Sequence, residues 1–485
     1  MSTKKASPNV LWICTDQQRF DSLGCYGNTY VDTPNIDKLA SKGILFENAY
    51  CQNPVCTPSR SSFLTGRYPR TTCCRQNGQN IPDREVLISK RLKDEGYAVG
   101  LSGKLHISAA EASKINGTEK RIDDGYDVFY WSHGRPHKSF ANQYHIWLRE
   151  NGLEYSTTKI PETEYVEMGM PEEHHQTKWC IDKAIDFIDH CESKEKPWFF
   201  SVNIFDPHVP FNPPPEFFEK YRKNIDAVPL PNYVEGELDK KPQCQQAEHR
   251  ESTHTGSSRP YPFVKMNDTD KRFITAAYWA MVENIDKQVG RIYDFLGTKG
   301  CLENTIIIFM SDHGELLGDH GMYCKGPFFY EPCVKVPLIV SWPDKIEPGK
   351  RSKALIELLD LTPTLLEILD LDIPPAIQGL SLWPLISGRS AVDEHKKSIY
   401  CEYYNSIFWK KPGVYATMIR DERYKVVSYH SEDSGELYDL TTDPRETWNL
   451  WDDPDSLAVK SGMLKKLSDC MAWTMDPLPY RVAAF

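Results

Sequence analysis

Two uninterrupted apolar runs, each ending in a carboxylate, constrain this chain more than any other feature. Asn9 to Thr15 (NVLWICT) leads into Asp16-Gln17, and Thr305 to Met310 (TIIIFM) leads into Ser311-Asp312-His313-Gly314-Glu315. A strand that is apolar at successive rather than alternate positions must be covered on both faces, as in a parallel sheet between helices. The rhythm around the runs agrees. Helices are expected over Pro34–Lys42, with Thr33 as N-cap and Gly43 past the end, and over Val86–Glu95, Lys178–His190, Thr269–Leu296 and Leu361–Leu369. Further strands are expected over Tyr97–Leu101, Trp198–Phe205 and Val336–Trp342. The fold class is therefore α/β: a large mixed, mostly parallel sheet sandwiched by helices.

From about Gly379 the pattern changes. Short strands crowd together at Ser398–Glu402, Tyr415–Arg420, Tyr424–Ser428 and Glu436–Leu440, before a last helix near Ser456–Ala472. We expect two domains, 1–378 as the catalytic α/β unit and 379–485 as a small α+β subdomain with an antiparallel sheet. The stretch from Pro229 to Pro262 is polar and irregular, and a loop of that length is often functional.

Composition matters mainly for what it excludes. The net charge of −11 over 485 residues argues against a nucleic-acid or anionic-membrane partner, which would need a basic face. No run approaches the roughly 18 apolar residues that span a bilayer. The first residues carry no apolar leader core, so the chain reads as cytoplasmic, or as periplasmic or secreted if a leader was trimmed. Most of the 14 cysteines read as reduced, buried thiols.

Ligands of open α/β sheets bind beyond the carboxyl ends of the strands. Asp16 or Asp312 alone reads equally well as a turn residue. Together with Gln17 and His313 they make a divalent-metal site, whose oxygen-rich set favours Ca²⁺, Mg²⁺ or Mn²⁺, with His313 tilting toward Mn²⁺. A second group is Cys56-Thr57-Pro58-Ser59-Arg60. Thr57 is placed to N-cap a helix ended by Gly66, so that Cys56 lies where free N–H groups favour anions. Three further groups follow strand or turn patterns: Gly103-Lys104-Leu105-His106, Asp206-Pro207-His208, and Gly318-Asp319-His320 with Lys325. Taken singly, each has an ordinary structural reading as a solvated lysine or a turn histidine.

Taken in this order, the pieces resemble the type I, formylglycine-dependent sulfatases of the alkaline phosphatase superfamily. The likeness runs from NVLWICTDQQRFDSLGCYG through TPNIDKLASKGILFENAY, CTPSRSSFLTGRYP and GYAVGLSGKLH to SDHGELLGDHG and ELYDLTTDPRETWNL. It implies an alkaline phosphatase-like fold and a sulfuric ester hydrolase acting on a carbohydrate or aryl O-sulfate. It implies that Cys56 is converted to formylglycine by a maturation enzyme, and that its hydrate attacks sulfur and also touches the metal. Asp16, Gln17, Asp312 and His313 then correspond to the metal ligands, with Ca²⁺ first and Mn²⁺ or Mg²⁺ as alternatives. Arg60 corresponds to the group that holds the hydrate, and Lys104 and Lys325 to sulfate clamps. His106 corresponds to the base that releases sulfate, and His208 to the acid on the leaving oxygen, helped by Lys325.

The sequence departs from the family pattern at two ligands. Most sulfatases have a second Asp where Gln17 stands, and many have Asn where His313 stands. The Gln and His pair also occurs in related phosphonate monoester hydrolases, which makes phosphonate monoester or phosphodiester hydrolysis the alternative activity. Those relatives lack the G-K-x-H run that this chain keeps at 103–106. An inactive anion-binding relative with Cys56 as a free thiol would leave the other site residues unexplained. The loop Trp131 to His137 and the aromatics Tyr403, Tyr404 and Trp409 are candidates for the walls of a substrate subsite.

Overall fold

The computed structural model describes residues 7–252, 260–407, 413–480 and 483, so Trp409 lies outside the described residues. Its strands, in chain order, are β1 Asn9–Asp16, β2 Ile44–Tyr50, β3 Ala98–Gly103, β4 Val128–Trp131, β5 Thr158–Lys159, β6 Glu167–Met168, β7 Trp198–Pro207 and β8 Thr305–Ser311. There follow β9 Lys335–Val336, β10 Leu338–Ser341, β11 Lys350–Glu357, β12 Ile399–Tyr404, β13 Tyr415–Arg420, β14 Tyr424–Tyr429 and β15 Gly435–Asp439.

The large sheet has nine strands in the order β11-β2-β10-β8-β1-β7-β3-β4, with β9 paired to β2. Its centre is parallel: β1 runs parallel to both β7 and β8, and β3 parallel to β7 and β4. β10 is antiparallel to β8 and β2, which makes the sheet mixed. All eight residues of β1 are buried, and they divide by parity. Leu11 and Ile13 pack with Ile36 and Leu39, Ile181 and Ile188, and Phe273 and Ile285, from helices Pro34–Ser41, Gln176–Glu192 and Asp268–Lys299. Val10, Trp12 and Cys14 pack on the other side with Phe63, Leu92 and Leu365, from helices Cys56–Thr65, Ile88–Asp94 and Leu361–Ile368. Apolar side chains on both faces of one strand are the physical reason that the run had to be uninterrupted.

Two details differ from expectation. The single strand expected at Val336–Trp342 is split, because Pro337 has no N–H to give a ladder; β9 pairs with β2 while β10 bridges β2 and β8. The Pro229–Pro262 stretch, expected to be irregular, contains the helix Gln243–Glu251.

The small sheet, β12-β13-β14-β15, is antiparallel throughout. One face, with Tyr400, Ile419, Val426 and Leu437, packs on Met463 and Leu467 of helix Leu457–Trp473. The other, with Cys401, Met418 and Val427, joins the core of the large sheet. Among the described residues, no helix is long and apolar enough to cross a membrane.

Candidate active site

Four central strands deliver the site. Asp16 ends β1 and Gln17 follows it, Asp312 and His313 follow β8, Lys104 and His106 follow β3, and His208 follows β7. β8, β1, β7 and β3 are consecutive neighbours and parallel, so their carboxyl ends open on one cleft. The fifth contribution comes from helix Cys56–Thr65, all ten residues of which are buried.

Thr57 is not the N-cap. The helix begins at Cys56, with Val55 extended before it, and the Val55 carbonyl accepts from Ser59 N–H at 3.1 Å. Cys56 is thereby the first helical residue, and Gly66, at φ 73°, ends the helix in the left-handed conformation. Ser59 Oγ donates to the Asp312 carbonyl at 2.6 Å, fastening the helix to the end of β8.

Asp16, Cys56, Asp312 and His313 each present one ligand atom, and these atoms lie within 4.8 Å of one another, all buried. Cys56 Sγ is 3.1 Å from His313 Nε2 and 3.5 Å from Asp16 Oδ1. His313 Nδ1 is 2.9 Å from the Gly314 carbonyl, which fixes Nδ1 as a donor and turns Nε2 to the cluster. Two carboxylates, an imidazole lone pair and the Gln17 amide oxygen suit a dication. Gln17, at φ 66°, is held by donation of its Nε2 to Glu315 and of its N–H to Asp312 Oδ1, so its Oε1 is turned to Lys325 Nζ at 2.5 Å.

Three cations surround these acids. Arg60 donates from Nε to Asp312 Oδ2 at 2.8 Å, lies 3.5 Å from Asp16 Oδ2, and donates from Nη1 to the Lys104 carbonyl at 2.6 Å. Its guanidinium is thus committed to the carboxylates and the Lys104 backbone. Lys104 Nζ donates to Asp16 and lies 3.5 Å from Cys56 Sγ, while Lys325 Nζ is 3.2 Å from the sulfur. Burial pushes the Asp16 carboxyl up, but Lys104, Arg60 and Lys325 hold it well below the usual range. Burial and Asp16 raise the Cys56 thiol; Lys104, Lys325 and His313 outweigh them and bring it below an ordinary cysteine.

His208 Nε2 is 2.8 Å from Lys325 Nζ, and its Nδ1 is 2.6 Å from the Val209 carbonyl. Burial, Lys325 and Lys104 hold this imidazole well below the ordinary histidine range. In the free site it is therefore neutral, with Lys325 donating to it. Burial, Lys104 and His133 likewise depress His106. The His106 ring meets His133 edge to face at 4.4 Å.

A cavity of about 300 Å³ opens on this cluster, at the small end of ligand sites. Cys56, Lys104, His106, His208 and Lys325 line it, together with Asn77, His133, His137, Phe205 and Ile407. Of the suggested subsite residues, His133, Gly134, Pro136 and His137 reach the cavity. Trp131 is buried, with its Nε1 bonded to Glu119. Tyr403 is buried in the core, and the Tyr404 hydroxyl accepts from Arg70 Nη2 at 2.8 Å. Sequence reading missed Glu119 and Glu315, two buried carboxylates that hold the loops carrying His106 and Gln17. Glu315 stands in the SDHGE string with nothing to mark its role, and no local signal marks Glu119.

A cleft at parallel strand ends, with clustered buried acids, three cations and a cysteine at a helix start, defines an enzyme acting on esters of a tetrahedral oxyanion. Comparison with known proteins narrows the class. The Sulfatase family model matches residues 8–371, and the model of the N-sulphoglucosamine sulphohydrolase C-terminal region matches residues 318–472. An arylsulfatase of Clostridium perfringens is 30% identical over 91% of this chain and 90% of its own. An N-acetylglucosamine-6-O-sulfatase of Bacteroides thetaiotaomicron is 26% identical over 97% and 88%. The crystal structure of a phosphonate monoester hydrolase of Agrobacterium radiobacter superposes with a TM-score of 0.82, at 25% identity over 98% of each chain. The chain belongs to the sulfatase family and is a sulfuric ester hydrolase.

Proposed function

We propose that this enzyme hydrolyses the sulfate ester of a carbohydrate, using a formylglycine made from Cys56 by a maturation enzyme, and a divalent cation. The convergence of Cys56 with Asp16, Asp312 and His313 carries this reading. Asp16, Gln17, Asp312 and His313 would hold the cation, Ca²⁺ first by donor chemistry, with Mn²⁺ or Mg²⁺ as alternatives. Bound there, the cation supplies Lewis acidity and offsets negative charge on the reacting group.

The residues divide the work. Lys104 and Lys325, on either side of position 56, hold sulfate oxygens and stabilise charge in the transition state. Arg60 holds Asp16 and Asp312 in place. A hydroxyl of the aldehyde hydrate at 56, its proton passing to the Asp312 carboxylate, attacks sulfur, and the alcohol leaves with the bonding pair. His208 and Lys325 act as a couple: Lys325 Nζ, 2.8 Å away, passes its proton to His208 Nε2. The imidazolium so formed gives that proton to the leaving oxygen, which returns His208 to the neutral form and leaves Lys325 as the amine. His106 then takes the proton of the other hydroxyl on carbon 56. The carbonyl re-forms, its C–O bond to the sulfuryl group breaks, and sulfate departs with that electron pair.

Carbohydrate substrates are supported by the N-acetylglucosamine-6-O-sulfatase likeness. His208→Ala is expected to lower kcat by about 10²–10⁴-fold on alkyl sulfates and far less on 4-nitrophenyl sulfate, whose leaving group needs little protonation. Equal losses on both would remove His208 from the acid role.

The Gln17–His313 pair and the likeness to a phosphonate monoester hydrolase favour one second reading, phosphonate monoester hydrolysis. Side-by-side kcat/KM on an aryl sulfate and an aryl phosphonate monoester decides. We expect sulfate to be preferred, and a preference for the phosphonate would reverse the assignment.

A further inference from the structure

His106 is held in an unusual way. Its backbone adopts φ 52°, a left-handed conformation that a residue with a side chain avoids unless its surroundings enforce it. Its Nδ1 is buried and has no hydrogen-bond partner among the described residues. No side-chain hydrogen bond thus fixes the ring, and its placement depends on the backbone that carries it. That backbone is gripped on one side by the core: Lys104 N–H donates to the Asn203 carbonyl at 3.0 Å, and the Lys104 carbonyl accepts from Arg60.

On the other side it is gripped by a single carboxylate, Glu119, from the irregular stretch before β4. Glu119 Oε1 accepts from His106 N–H at 2.7 Å and from Trp131 Nε1 at 2.9 Å. Its Oε2 accepts from Ile107 N–H at 2.8 Å and Ser108 N–H at 3.1 Å. Three successive amides converging on one carboxylate form an anion nest, made here by the chain itself. Glu119 is 1% exposed, and a charge so deep is retained only where donors compensate it. The fourth donor, Trp131, ends β4, two residues before the His133 whose ring packs on His106. One side chain therefore ties the loop of His106 to the strand that leads into the His133 segment packed against it.

We propose that Glu119 is the positioning residue for His106: it sets the loop so that the imidazole addresses the hydroxyl at carbon 56 during sulfate release. It touches neither the cavity nor the reacting atoms. This rests on the reading of His106 as the base of the second step, and the test separates the two.

The test uses the mature, metal-loaded enzyme with 4-nitrophenyl sulfate, whose fast first step makes sulfate release limiting. Slowing the second of two steps lowers kcat and KM in parallel and preserves kcat/KM, which a loss of active enzyme or a damaged fold does not do. Glu119→Gln places an amide NH₂ against two of the four donors. It is expected to lower kcat and KM together by about 10–100-fold, as for a misplaced catalytic group. His106→Ala serves as the reference and should show the same parallel fall, more deeply.

If His106→Ala lowers kcat/KM, or leaves both constants alone, the base assignment itself fails. If His106→Ala shows the parallel fall and folded Glu119→Gln does not, Glu119 is not its positioning residue. A readout independent of turnover is amide hydrogen exchange. Glu119→Gln should speed exchange at His106, Ile107 and Ser108 and spare the strands of the large sheet; unchanged exchange at those three amides overturns the proposal. Should Glu119→Gln fail to fold, Trp131→Phe removes one bond to the same carboxylate. It should shift kcat and KM in the same direction to a smaller extent, and unaltered constants in that variant count against the idea.

Discussion

Cys56→Ala is expected to abolish sulfate release, lowering kcat by on the order of 10⁵-fold or more, the loss seen when a covalent nucleophile is removed. The fold should survive, because the side chain is small and its Sγ faces Asp16, His313 and Lys325 rather than apolar core. Thermal unfolding should therefore stay close to that of the parent. The contrast between lost activity and kept stability is the informative part. Lys104, Lys325, Asp16 and His313 are organised around that one sulfur position, and Arg60, though not in contact with it, orders the two acids beside it. With alanine there, sulfate and sulfate esters should still bind, since the two lysines remain, but nothing is left to accept the sulfuryl group. Substantial turnover by this variant would place the nucleophile elsewhere.

Asp312→Asn should damage both activity and stability. Asp312 Oδ2 accepts from Arg60 Nε, and its Oδ1 accepts from the N–H groups of Gln17 and His313. An asparagine can keep the backbone bonds only by turning its NH₂ toward the guanidinium, placing donors face to face around a buried cation. Breaking one partner of a buried ion pair costs about 3–5 kcal/mol. The same change removes a charged donor from the proposed cation site. We expect kcat to fall by about 10³-fold or more, the several kcal/mol that a catalytic dication contributes. We also expect added Ca²⁺ to raise the unfolding temperature of the parent and not of the variant. A variant that gains as much from Ca²⁺ as the parent would remove Asp312 from the ligand set.

The centre of the fold was legible because physics leaves little choice there. β1 and β8 are buried on both faces, and only continuous apolar runs satisfy that. The strands β2, β4 and β11 were not legible. In β11, Lys350, Arg351 and Lys353 stand on the sheet edge and interrupt the pattern, and β4 is only four residues long, three of them half-exposed. The site divides along the same line. Asp16, Gln17, Asp312 and His313 come directly from strand ends, so reading the strands was enough to nominate them. Lys104, His106 and His208 follow β3 and β7 but look ordinary one by one, and only their order along the chain made them candidates. Glu119 acts through backbone amides eleven to thirteen residues before it in the chain, brought to it by the fold and not by any sequence pattern. No local rule reports such a bond. Thr57 shows the opposite error: a good capping residue with Pro58 after it was overruled, because Val55 already supplies the carbonyl that starts the helix.

The most direct test of the account is the mass of the peptide spanning residue 56 in catalytically active enzyme, purified after co-production with a formylglycine-forming maturase. The account predicts that this peptide carries an aldehyde or its hydrate in place of the thiol, in a fraction that tracks specific activity from one preparation to the next. Full activity in protein whose residue 56 is entirely unmodified cysteine would contradict it.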